Sequence, residues 1–181
     1  AVLAGAVSYG VMNFLMTSTP IAMGMSGHPY GDATFVISSH VVAMFAPSFV
    51  TGALIRRFGV LPIMFIGAVL NVGSIVIGLS GVSVHQFWGS LVLLGVGWNF
   101  LFIGATTLLT DTYRPEERAK AQGANDFAIF FVMTISSLIS GMIVTTAGWE
   151  KVNYAAAPII VVIAIAIAWL GLRQRAARAA A

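Results

Sequence analysis

Three polar side chains stand deep inside long apolar stretches of this 181-residue chain: Asn13, His40 and Asn99. In an apolar surrounding such a group is costly unless it faces protein or a water-filled cavity, which makes each a candidate binding group. Asn13 has Tyr9 and Thr17 four residues away on either side, so the three share one helical face. Asn99 follows Trp98, whose indole either packs among helices or offers a flat apolar wall to a planar ligand. For both asparagines the competing reading is a hydrogen bond to a neighbouring helix that fixes packing. His40 is the one titratable side chain clearly inside an apolar stretch. It can serve to exchange a proton with the outer solution, or it can be a neutral ring held by Ser38, Ser39 or a backbone carbonyl.

The chemistry these residues suggest is recognition, not catalysis. The sequence has no glycine-rich phosphate loop, no metal-ligand cluster and no nucleophile with a base and orienting acid at usable spacing. No enzyme activity, metal or cofactor is therefore expected. Glu116 and Glu117, after Pro115, read as first-turn residues of a helix rather than a catalytic pair. Cysteine is absent, which excludes disulfides and thiolate chemistry.

The elements that must position these residues follow from composition. Hydrophobic residues make up 59% and charged residues only 8% of the chain, whereas soluble chains carry roughly 25% charge. Apolar runs of about 20 residues must be helical in hydrocarbon, because every backbone N–H and C=O needs a partner within its own segment. The expected fold class is an all-α membrane protein, a six-transmembrane-helix bundle forming one domain over residues 1–181. The spans read as 1–25, 33–55, 60–80, 87–110, 121–147 and 153–172. Their short links predict that sequential helices pack as antiparallel neighbours. The first span has no basic residue before Arg56 and does not read as a signal peptide.

Lysine and arginine in the short links set orientation. Arg56, Arg57, Arg114, Arg118, Lys120, Arg173, Arg175 and Arg178 fall on one side and only Lys151 on the other, so both termini are expected to be cytoplasmic. The same placement beside apolar segments argues against nucleic acid as a partner and for the lipid bilayer. Trp88, Tyr113, Trp149, Tyr154 and Trp169 fall near span ends as expected interfacial anchors. The small pairs Ser74/Gly78 and Ser137/Gly141, with Gly95, Gly97 and Gly104, are expected to let helix backbones approach.

Gly52-Ala-Leu-Ile-Arg-Arg-Phe-Gly59, between the second and third spans, resembles the loop signature G-x-L-x-D-R-x-G-R-R of the major facilitator superfamily. Gly52, Leu54, Arg57 and Gly59 match it; Arg56 replaces Asp, and Val60 and Leu61 replace the final basic pair. The loop from Arg114 to Arg118 and the following stretch to Asp126 are similar to the link between the tenth and eleventh helices of bacterial members. Gly95-Val-Gly-Trp-Asn-Phe100 fits the same group. The strings His40 to Arg57, Gly97 to Leu109 and Gln122 to Phe127 are similar to a bacterial group that includes riboflavin uptake proteins.

The resemblance implies the C-terminal six-helix half of a secondary transporter in a bacterial inner membrane. It implies a small-molecule substrate, and a partner that is an N-terminal six-helix half or a second copy. The substrate cavity would be lined by Tyr9, Asn13, Thr17, His40, Trp98 and Asn99, since the first and fourth spans correspond to the family's cavity helices. The cytoplasmic gate would use Gly52, Arg57, Gly59, Arg118, Asn125 and Asp126. The alternative is a membrane assembly or scaffold protein with a transporter-like fold that moves nothing.

Overall fold

The computed structural model describes residues 2–110 and 114–179. Among the described residues there are seven α-helices: α1 (Val2–Met25), α2 (Tyr30–Phe45), α3 (Ser48–Phe58), α4 (Val60–Leu79), α5 (Val84–Thr110), α6 (Arg118–Ala147) and α7 (Trp149–Ala179). A 3-10 turn over Pro115–Glu117 leads into α6. Tyr113 lies outside the described residues, as do the side chains of Arg175 and Arg178.

With α2 and α3 counted as one segment, Tyr30–Phe58, five helices among the described residues are long and apolar enough to cross a membrane. Helix α1 is not one of those five, and it carries Ser8, Tyr9, Asn13, Thr17, Ser18 and Thr19. Ser18 and Thr19 satisfy their hydroxyls within the helix, donating to the carbonyls of Phe14 and Leu15 at 2.8 and 2.7 Å, whereas the buried Ser8 hydroxyl has no partner among the described residues.

The span read over 33–55 is two helices, and Pro47 is the reason. Proline has no N–H to donate and its ring obstructs a continuing turn, so α2 stops at Phe45 and α3 starts at Ser48. The tight link between α3 and α4 is a single residue, Gly59, at φ +91°, a left-handed region that a Cβ disfavours.

Sequential packing holds for α4 with α5 but is not the main rule. The other extensive pairings are α1 with α6, α2 with α5 and α4 with α7. Helices α2, α5, α1 and α6 therefore form one row, with α4 and α7 standing behind it. Hydrogen bonds across the row explain why α6 seeks α1: Ser136 and Ser140 donate to the carbonyls of Gly10 and Phe14, each at 2.6 Å. This corrects the expected Ser137/Gly141 contact. A Cβ at Gly141 would meet nothing within 4 Å, because the small pair that faces α1 is offset by one residue, about 100° around the helix.

Helix α5 approaches its neighbours through glycine on two faces. A Cβ at Gly95 would stand 2.9 Å from the His40 carbonyl, and one at Gly97 would stand 2.7 Å from the Gly67 carbonyl. A Cβ at Gly104 would run into the Met64 side chain. At the far end of the bundle Ser90 donates to the Ser74 carbonyl at 2.9 Å, which ties α5 to α4. Trp149 is not an interfacial anchor. It is 6% exposed, its Nε1–H donates to the Gly78 carbonyl at 2.7 Å, and its ring packs against Phe87. Trp88, Tyr154 and Trp169 are exposed.

Candidate functional site

Helices α1 and α5, the middle pair of the front row, bring together an aromatic cluster. Tyr9 of α1 meets Trp98 and Phe102 of α5 edge-on, with ring centroids 4.9 and 5.0 Å apart. Trp98 and Phe102 are one helical turn apart and stack, 5.1 Å between centroids and 6° between planes. Phe45, at the end of α2, closes the group 6.1 Å from Trp98. Edge-to-face and offset contacts of this kind place positive ring edges on negative ring faces, which fixes ring orientation beyond simple burial. Trp98 is 2% exposed and its Nε1–H has no partner among the described residues. Tyr9 and Phe102 are half-buried and Phe45 is exposed, so the cluster reaches the surface through those three.

An open groove of about 260 Å³ continues from Phe102 along α5, lined by Phe102, Ile103, Thr106, Thr107 and Thr110. Each threonine hydroxyl gives its hydrogen to a carbonyl of its own helix: Thr106 to Phe102, Thr107 to Ile103 and Thr110 to Thr107. The hydroxyl oxygens keep acceptor capacity toward the groove. A second groove of about 390 Å³ runs between α1, α6 and α7 beside Val7, Phe14, Ile135, Ile143 and Ile159. Ser136 in that groove is already bonded to Gly10, so the site is apolar and has nothing to orient a polar ligand.

The residues singled out in the sequence separate into three places. Tyr9 and Trp98 lie in the aromatic cluster. Asn13 is half-buried one turn along α1, its Nδ2–H donating to the Met133 carbonyl of α6 at 3.0 Å. Thr17 is half-buried a further turn along. His40 and Asn99 are elsewhere, in the contact of α2 and α3 with α5. The His40 ring is fully buried, and Nδ1 sits 2.7 Å from the Leu91 carbonyl. A carbonyl only accepts, so Nδ1 carries the hydrogen; Nε2 has no partner among the described residues. Exchange of a proton with water would require the α2–α5 contact to open.

Asn99 is 1% exposed. Its Nδ2 donates to the Met44 carbonyl at 2.7 Å and to the Ser48 hydroxyl at 2.6 Å, and its Oδ1 stands 2.7 Å from the Thr51 hydroxyl. The sequence pointed to Asn99 but not to Ser48 and Thr51, which lie beyond a helix break. Phe102 was readable as the residue one turn after Trp98. Phe45 gave no such signal, because an apolar ring in a membrane helix looks the same whether it meets lipid or protein.

The signature residues lie at the other end of the same region. Gly52 is half-buried, with nothing nearer a built Cβ than Arg56 Nη1 at 3.9 Å. The Arg57 guanidinium lies over the Phe58 ring at 5.2 Å, and Gly59 forms the link to α4. Arg118 is exposed at the start of α6. Asn125 donates to the exposed Asp126 carboxylate at 3.4 Å, and no basic side chain pairs with Asp126 among the described residues.

Two rows of helices with apolar residues on their outer surfaces, five of them among the described residues long and apolar enough to cross a membrane when α2 and α3 are counted as one, define a multi-pass membrane protein. The sequence profile of the Major Facilitator Superfamily matches residues 1–181, and the chain belongs to that family. It is 46% identical over 181 residues to the riboflavin transporter RfnT of Brucella anthropi, across 100% of this chain and 45% of that protein. It is 32% identical over 161 residues to YddS of Bacillus subtilis, an uncharacterized MFS-type transporter, across 88% of this chain and 37% of that protein. YdeG of the same organism, also an uncharacterized MFS-type transporter, is 38% identical over 141 residues. The chain spans less than half the length of these relatives.

Proposed function

We propose that this chain is one half of a secondary transporter that moves a small solute by alternating access, with the α1–α5 front lining the solute path. The observation that carries the reading is the aromatic cluster opening into the threonine groove of α5. A flat heteroaromatic ring can stack with Phe102 beside Tyr9, while donor groups on a polar tail find the hydroxyl oxygens of Thr106, Thr107 and Thr110. The 46%-identical relative is named a riboflavin transporter, and riboflavin, a flat ring system bearing a hydroxylated chain, is the first solute to test. A scaffold built on this fold could fill the cavity face with Leu, Ile and Phe; of the polar set Asn13, His40 and Asn99, the last two turn into the α2–α5 contact, and the half-buried Tyr9, Asn13 and Thr17 of α1 support a polar path.

A second six-helix unit completes the path by covering the front row, in a bacterial plasma membrane with both termini cytoplasmic. Gly52, Arg57 and Gly59, with Arg118, Asn125 and Asp126, then face that unit at the cytoplasmic end. The exposed Asp126, which has no basic partner among the described residues, supports a contact with a basic group from it. The test is riboflavin uptake by the complete protein reconstituted in vesicles. An aromatic contact is worth about 0.5–1.5 kcal/mol, so Phe102→Ala is expected to weaken apparent affinity about two- to tenfold. Absence of riboflavin uptake refutes the substrate, and unchanged affinity in the variant refutes the stacking site.

A further inference from the structure

The junction of α2, α3 and α5 has a construction that a solute cavity does not explain. Helix α3 buries a single side chain among the described residues, Thr51, and leaves Phe49, Val50 and Phe58 exposed. Apolar packing therefore contributes little to its position. What holds it is polar: Asn99 reaches from α5 to the Ser48 hydroxyl and meets the Thr51 hydroxyl, while also taking the Met44 carbonyl at the end of α2. The Thr51 hydroxyl has one hydrogen and two acceptors in reach, Asn99 Oδ1 at 2.7 Å and the Pro47 carbonyl at 2.8 Å. It can turn from Asn99 to Pro47 and keep a hydrogen bond of its own, with only Asn99 Oδ1 giving up its donor, so the link is one that can be released.

Just before the break, α2 is fixed in a different way. His40 bonds to the Leu91 carbonyl, and Gly95 lets the backbones of α5 and α2 touch at His40 and Met44. A fastened helix and a tethered one meet at Pro47, which supplies the hinge. We infer that Asn99 is a positioning residue, a releasable tether that holds α3 against α5 and whose release lets α3 swing about Pro47 to open the cytoplasmic side. Asn99 is adjacent in sequence to Trp98 of the aromatic cluster, so a solute pressing on that cluster moves the residue that holds α3. This rests on the alternating-access reading.

The complete protein, made free of cysteine, is spin-labelled at Ala53→Cys on α3 and Arg173→Cys on α7, both exposed. Distance distributions between the labels are measured by pulsed electron resonance, with and without riboflavin. Thr51→Val keeps the shape of the side chain and removes the α3 end of the tether, and Asn99→Leu removes all of it. Both are expected to raise the displaced population of α3, Asn99→Leu about tenfold, the equivalent of about 1.4 kcal/mol. The double variant should go no further than Asn99→Leu alone, as for two parts of one link. Ser136→Ala, whose hydroxyl bonds to Gly10 on another helix, should leave the distances unchanged. If Asn99→Leu does not fold, Thr51→Val and Ser48→Ala decide the matter. Unchanged distances in Thr51→Val overturn the inference. So does a loss of riboflavin affinity in Asn99→Leu with Thr51→Val neutral, since Asn99 would then be a solute ligand. Wild-type protein that neither binds nor moves riboflavin counts against the substrate, while the distances without riboflavin still judge the tether.

Discussion

Gly97→Ala tests whether the close crossing of α4 and α5 sets the stability of the bundle. The added methyl would stand 2.7 Å from the Gly67 carbonyl and would also run into the Asn71 side chain. The first obstacle is backbone, which cannot rotate away, so the helices must separate. Overpacking typically costs about 1–3 kcal/mol, and a rigid obstacle puts this case toward the upper end. Alanine is favoured over glycine inside a helix by about 1 kcal/mol, which offsets part of the loss. The net expectation is a loss of about 1–2 kcal/mol, seen as a melting temperature lower by about 2–8 °C for a domain of this size. Gly171→Ala is the control: its Cβ meets nothing within 4 Å in α7, so only the helix preference acts and the protein should melt at or slightly above wild type. Thermal unfolding of the complete protein in detergent reads both. If Gly97→Ala melts no lower than Gly171→Ala, the crossing is not tight and the packing argument for α5 fails.

Cysteines at Ser83 and Lys151 should react with an impermeant reagent added outside intact cells, and those at Glu117 and Arg173 should not; the opposite pattern reverses the orientation. Asp126→Ala should reduce uptake by the complete protein at near-normal expression, because the exposed carboxylate has no basic partner within this chain's described residues; wild-type kinetics would remove it from the gate. Asn13→Leu removes the hydrogen bond to the Met133 carbonyl, which keeps its bond within α6, so a stability loss of about 0.5–1.5 kcal/mol is expected in detergent melts. Unchanged riboflavin affinity in the surviving Asn13→Leu protein would make Asn13 a packing residue alone.

The helices were legible because apolar length is a strong signal, and the links because glycine and proline punctuate it. Which face of each helix meets which neighbour was not. Ser136/Ser140 and Ser137/Gly141 are equally good small pairs on paper, and only the serine hydroxyls' reach to Gly10 and Phe14 selects the first. Depth correctly marked Asn99 as a side chain that must turn inward, but inward has several directions in a bundle. The direction taken depends on the Pro47 break, whose consequence for Met44, Ser48 and Thr51 is visible only in three dimensions. Trp149 was misread because nearness to a helix end says nothing of whether a helix beside it, here α4 at Gly78, offers a carbonyl.

The glycines of α5 bear on how this helix can move at all. Gly95 touches α2, while Gly97 and Gly104 touch α4. At 3.6 residues per turn, Gly97 and Gly104 share a side and Gly95 lies about 160° away from it. Turning α5 about its own axis in either direction would drive a bulkier side chain into backbone on both flanks. Spin is thereby forbidden to the helix that carries Trp98 and Asn99, and only bending or carriage with its two neighbours is left. Whatever reaches that aromatic cluster must be answered by tilt and translation.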